Sequence, residues 1–97
     1  MIEKGSQAEK MGGIHIGHVI TAINDEDVRN EYVKELKRML GMKIRKMKKK
    51  DVLKIRFQGI DKYFPPGFEY DFSFQAGSIG LELAARDALL NNGAVIT

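Results

Sequence analysis

The chain has 97 residues and a mass of 10.9 kDa, enough for one modest core, which excludes a multidomain enzyme. With 43% hydrophobic and 30% charged residues it reads as a globular domain, and no apolar run approaches the ~20 residues that span a bilayer. The net charge of +3 conceals two unlike parts: residues 34–56 hold eleven Lys or Arg against Glu35 and Asp51, a segment charge of +9, and the remainder sums to −6.

Along the chain, the Gly12-Gly13 pair precedes an apolar stretch at 14–23 (IHIGHVITAI), which ends at the turn formers Asn24 and Asp25. From Glu31 the period changes. Tyr32, Val33, Leu36, Met39 and Leu40 recur at helical spacing, and Ile44 and Met47 continue the stripe. Asn30 is the predicted N-cap, and the lysines at 48–50 fall near the predicted end, as the helix dipole favours. Gly41 inside this pattern either costs about 1 kcal/mol as a helical residue or marks a break.

After Asp51 the period drops to two. Leu53, Ile55 and Phe57 alternate with Lys54 and Arg56, which predicts a half-buried strand. Residues 58–68 (QGIDKYFPPGF) read as a connector, because Pro65-Pro66-Gly67 does not fit a central strand. Tyr70, Phe72 and Phe74 alternate with Glu69, Asp71 and Ser73 in the clearest strand of the sequence. A loop at 76–78, a strand at 81–85, a turn at 89–93 and a last β-branched strand at 94–97 follow. The expected fold is a single α+β domain over residues 1–97, with five to six short strands, one main helix and one short helix covering a partly open sheet.

Three segments together resemble a PDZ domain: 77–83 (GSIGLEL), similar to the family's carboxylate-binding loop; 93–97 (GAVIT) with 2–10 (IEKGSQAEK), similar to its third strand and the loop into a short helix; and 13–28 (GIHIGHVITAINDEDV), similar to the stretch before its main helix. The order is not the family's. The strand at 69–74 would ordinarily come first and that at 52–57 last, so the resemblance implies a circularly permuted, partly open barrel with 58–68 joining the usual termini and Thr97 abutting Met1 or Ile2. A self-contained monomer is expected, with a swapped dimer as the alternative.

The resemblance implies a protein-interaction module that takes the C-terminal peptide of a partner by β-strand addition. The peptide's carboxylate would sit on the backbone N–H groups of loop residues Ser78, Ile79, Gly80 and Leu81, where Gly77 and Gly80 let the chain turn tightly. Leu83, Ala84 and Ala85 would pair with the peptide, and Ile79, Leu81 and Leu83 would line the pocket for its last side chain. Two registers are open for the helix wall: Val33, Lys37 and Leu40, or Tyr32, Leu36 and Met39. Both begin with an apolar residue, which by resemblance implies a hydrophobic ligand residue two back from the terminus. Two departures from the family stand out: 69–77 lacks the Lys or Arg often found before the loop, and His18 stands where Asp is common. The first implies weaker carboxylate capture or binding of internal segments.

Other chemistries fit less well. The basic run Lys43, Arg45, Lys46, Lys48, Lys49 and Lys50, read as the end of the helix, offers docking for anionic phospholipid headgroups at a cytoplasmic membrane face. Nucleic acid is not expected, because no aromatic residue interleaves with these lysines to stack on bases. The absence of cysteine excludes disulfides and thiolate chemistry and fits a reducing compartment. His15 and His18 lie close to Asp25 in sequence, but loop histidines beside a strand account for them without a metal, and Ser78 has no partner base. No catalysis and no cofactor are expected; a regulatory PDZ fragment of a protease is the remaining alternative.

Overall fold

The computed structural model describes residues 2–59, 68–77, 79–87 and 92–97. Its elements are α1 (Gln7–Met11), β1 (Val19–Ile23), β2 (Glu26–Asp27), α2 (Val33–Lys46), β3 (Val52–Gln58), β4 (Glu69–Gln75), β5 (Leu83–Asp87) and β6 (Asn92–Ile96). The strands form one six-stranded antiparallel sheet in the order β4-β3-β1-β6-β5, with β2 paired to β1. The domain is α+β, with two helices among the described residues.

Local chemistry accounts for most of these elements. Asn24 and Asp25 take positive φ, 48° and 68°, and join β1 to β2 in a two-residue hairpin with Ile23 opposite Glu26. Ser6 caps α1: its hydroxyl accepts from the Glu9 N–H at 3.3 Å, while Glu9 Oε1 accepts from the Gly5 N–H at 2.9 Å. In β3 the alternation works as expected, with Leu53, Ile55 and Phe57 buried. β3 and β4 pair along their whole length, from Val52 opposite Gln75 to Gln58 opposite Glu69. The Gly59 N–H donates to the Phe68 carbonyl at 2.9 Å, so the connector closes a hairpin. Residues 60–67 of that connector, 88, and 89–91 of the expected turn at 89–93 lie outside the described residues, while Asn92 and Gly93 of that turn belong to β6 instead, Asn92 pairing with Asp87.

α2 differs from expectation at both ends. Asn30 does not cap it; Tyr32 holds the N-cap position, without a side-chain hydrogen bond. The Glu31 carbonyl accepts from the Gly93 N–H at 2.7 Å, so a contact with β6 holds this residue outside the helix. At the other end the helix stops at Lys46, and Lys48, Lys49 and Lys50 are not helical. Asp51 explains the stop. Its Oδ2 accepts from the Lys48 N–H at 2.8 Å, and its own N–H donates to the Lys48 carbonyl at 2.9 Å, which closes a turn. Gly41 is helical and makes no break.

The core gathers Phe57, Phe74, Ile20, Ile23, Leu53 and Ile55 from the sheet against Leu36 of α2. α2 packs on β5 and β6. The two ends of the chain meet on one strand. Ile96 pairs with Leu83, the Thr97 N–H donates to the Glu82 carbonyl at 3.1 Å, and Ile2 forms a bridge with Leu81. Ile2 therefore occupies the next same-face position along the ladder after Ile96. Among the described residues, no helix is long and apolar enough to cross a membrane.

Candidate functional site

β5 ends the strand order, so among the described residues one of its edges has no strand beside it. Between that end of the sheet and α2 runs a groove of about 540 Å³. Its helix wall is Lys37, Leu40, Gly41 and Ile44, residues spaced to share one helical face. The facing wall is residues 79–83, and Ile55 and Thr97 complete the lining. Ile79 and Leu83 are buried and Leu81 half-buried; with Leu40, Ile44 and Ile55 they make the apolar part of the lining, and Lys37, Glu82 and Thr97 the polar part.

The loop leading into the facing wall is shaped by glycine. Gly77 and Gly80 have φ of 115° and 88°, left-handed backbone that costs other residues strain. Gly80 also answers a close approach, since Ser6 packs where its side chain would be. The Ile79 carbonyl accepts from Ala8 at 3.0 Å and the Gly80 carbonyl from Glu3 at 2.8 Å. Among the described residues, by contrast, none accepts a hydrogen bond from the N–H groups of Ile79, Gly80 or Leu81. With its carbonyls engaged and its donors available, this segment has the composition of an anion-binding backbone nest.

The predicted site residues divide. Ile79, Gly80, Leu81, Leu83, Lys37 and Leu40 line the groove together. Ser78 lies outside the described residues. Ala84 and Ala85 are in β5, paired with Val95 and Ala94. The regular strand starts at Leu83 rather than at Leu81, because Leu81 makes only an isolated bridge to Ile2. Of the two helix registers, the one through Lys37 and Leu40 faces the groove. Leu36 is fully buried in the core, and Val33 packs against that core without lining the groove. Gly41 and Ile44 belong to the wall and were missed by the sequence reading; their spacing from Lys37 was the available signal.

Lys43 and Lys46 stand with Met47, Asp51 and Val52 around a shallower concavity of about 300 Å³. Arg45 reaches back to the Gly41 carbonyl at 3.3 Å, and Lys48, Lys49 and Lys50 are exposed. His18 Nδ1 is hydrogen-bonded to the Tyr70 hydroxyl, and the His15 and His18 rings meet edge-on with centroids 5.3 Å apart. Burial, and secondarily the neighbouring His15, hold the His18 imidazole below its usual pKa; burial pushes the Tyr70 phenol up to about 12. No three His, Asp or Glu side chains converge as metal ligands among the described residues.

Comparison with protein-family models, with curated proteins and with solved structures returned no match for this chain.

Proposed function

We propose that the chain is a PDZ-like peptide-binding module, with permuted strand order, that captures the free C-terminus of a partner protein in the groove between α2 and residues 79–85. The reading rests above all on one juxtaposition. Three backbone donors without an acceptor among the described residues stand in the wall of a partly apolar groove beside a strand edge that no described strand pairs. A peptide laid antiparallel along β5 satisfies its main-chain groups. Its carboxylate meets the N–H groups of Ile79, Gly80 and Leu81, and its last side chain enters between Leu40, Ile44 and Leu83. The full-length pairing of β3 with β4, and the placement of Ile2 next after Ile96 along Leu83 and Leu81, support the permuted order. The chemistry is that of recognition, not catalysis.

Fluorescence polarisation against a library of C-terminal peptides, each also synthesised as its C-terminal amide, tests this. Binding that disappears on amidation is the expected outcome. Equal binding of acids and amides would falsify carboxylate capture.

The basic segment supports a second reading, docking on anionic phospholipid. Lys43 and Lys46 border the second concavity together with the apolar Met47 and Val52, and Val52 is 61% exposed. Cations beside exposed apolar side chains suit a headgroup surface. Co-sedimentation with phosphatidylcholine vesicles, with and without phosphatidylserine, decides it. Binding that needs phosphatidylserine and weakens with salt supports docking; equal recovery on both vesicles rejects it.

A further inference from the structure

Gly41 is a glycine that neither the helix nor the core requires. Glycine is among the least favourable residues in a helix interior, and Gly41 lies well inside the 14-residue α2. Its backbone is helical, so no left-handed turn calls for it. Packing does not call for it either. Among the described residues a Cβ there would meet only the Arg45 guanidinium, at 3.8 Å, which is ordinary van der Waals contact with the end of a flexible side chain. Gly80 is the contrast, since a Cβ there would stand 2.1 Å from the Ser6 Cβ. What distinguishes Gly41 is its position on the groove wall, on the same helical face as Lys37 and Ile44, across from residues 79–83.

We propose that Gly41 sets the width of the groove, so that the preferred ligand is a chain ending in a bulky apolar residue, of the size of Phe rather than Val, with a free carboxylate. The inference deepens the C-terminal-capture reading and rests on it for the identity of the ligand. A side chain at position 41 would project from the wall into the space beside Leu40 and Ile44. Its absence leaves the groove open at that point of the helix wall, and a small terminal residue would fill the added space less completely than a bulky one. Poor filling forfeits the contacts and the burial of apolar surface on which affinity in such a site depends.

The test uses peptides identical except for a last residue of Val, Leu or Phe, each as acid and amide. They are titrated by fluorescence polarisation into the native protein, Gly41→Ala and Gly41→Leu. The native protein should bind the Phe acid ~10-fold more tightly than the Val acid, the discrimination a few methylene-sized groups give in an apolar pocket. Gly41→Leu should bring that ratio close to unity by weakening the Phe peptide. Gly41→Ala should lie between, while its melting temperature rises by about 4–8 °C, since alanine is the better helix former. Greater stability with poorer Phe binding separates a narrowed groove from a damaged fold. A Phe-to-Val ratio unchanged across the three proteins overturns the proposal.

A second arm titrates 3-phenylpropionate while the Ile44 and Ile79 methyl resonances are followed by NMR. A saturable shift in the native protein that is lost in Gly41→Leu supports Gly41 as the residue that sets the groove's width; if acids and amides bind alike, the free-carboxylate part fails separately, with the C-terminal-capture reading it rests on. A shift that persists in Gly41→Leu overturns that role for Gly41, whatever the peptides do.

Discussion

Ser6 occupies the space that a side chain on Gly80 would need: a Cβ there would stand 2.1 Å from the Ser6 Cβ and 2.3 Å from its hydroxyl. Residues 74 positions apart in the chain thus share one van der Waals boundary. Gly80 also has φ of 88°, so Gly80→Ala combines backbone strain with a clash. We predict a loss of ~1–3 kcal/mol in urea unfolding. The N–H groups of Ile79 and Leu81 would be re-aimed at the same time, so peptide acids should lose their advantage over amides in protein that remains folded.

Lys37 has no carboxylate partner among the described residues, unlike Arg38 of the same helix, which bonds Glu35 at 2.9 Å. It lines the groove from a helix rich in cations. Lys37→Glu should weaken peptides that carry Asp upstream of the terminal residue and strengthen those that carry Lys, each by ~2–5-fold, as exposed ion pairs allow. Raising the salt concentration should compress both effects. An identical response of the acidic and basic peptides would show that Lys37 does not meet the ligand's side chains.

Leu36 is fully buried and belongs to the core, not to the groove wall. Leu36→Ala should cost about 2–5 kcal/mol in unfolding free energy. Leu40 does both jobs, being buried and yet lining the groove. Leu40→Ala should therefore lower stability and also weaken binding of a Phe-ended peptide at temperatures where the variant remains folded. Chemical denaturation paired with the polarisation assay separates the two residues.

His18 gives stability a pH dependence of known sign. Its pKa is lowered in the folded state by burial and by His15, so the unfolded chain binds the proton more readily. Folding stability should rise as pH climbs from the lowered folded value to the ordinary value of 6.5, and this contribution should be flat above it. Below the folded value the loss is complete. His18→Phe should flatten the dependence across that window, as measured by urea midpoints at closely spaced pH.

The strands were legible because their signal is carried by near neighbours. The alternation of Tyr70, Phe72 and Phe74 with Asp71 and Ser73 is enough to specify β4, and Asn24-Asp25 is enough to specify the turn after β1. The glycines of the loop were visible for the same reason, since left-handed backbone leaves few alternatives to glycine. The ends of α2 were not. Asn30 is a good N-cap by composition, but Gly93, far along the chain, takes the Glu31 carbonyl and shifts the start. The lysines at 48–50 suit a helix end, but the Asp51 carboxylate closes a turn on Lys48 instead.

Periodicity alone put Leu36, Met39 and Leu40 on one helical stripe, with Ile44 continuing it and Gly41 left as either helical or a break. Only the tertiary structure decided which of them hold the core and which face the groove. That division depends on where β5 and β6 pack against α2, a contact between residues some fifty apart in the chain. The same holds for Gly41: a helix-interior glycine is an unexplained cost until the wall it opens is in place across from Ile79 and Leu83. A side chain's period is set by the backbone it sits on, whereas its partner is set by whatever the rest of the chain brings to that face.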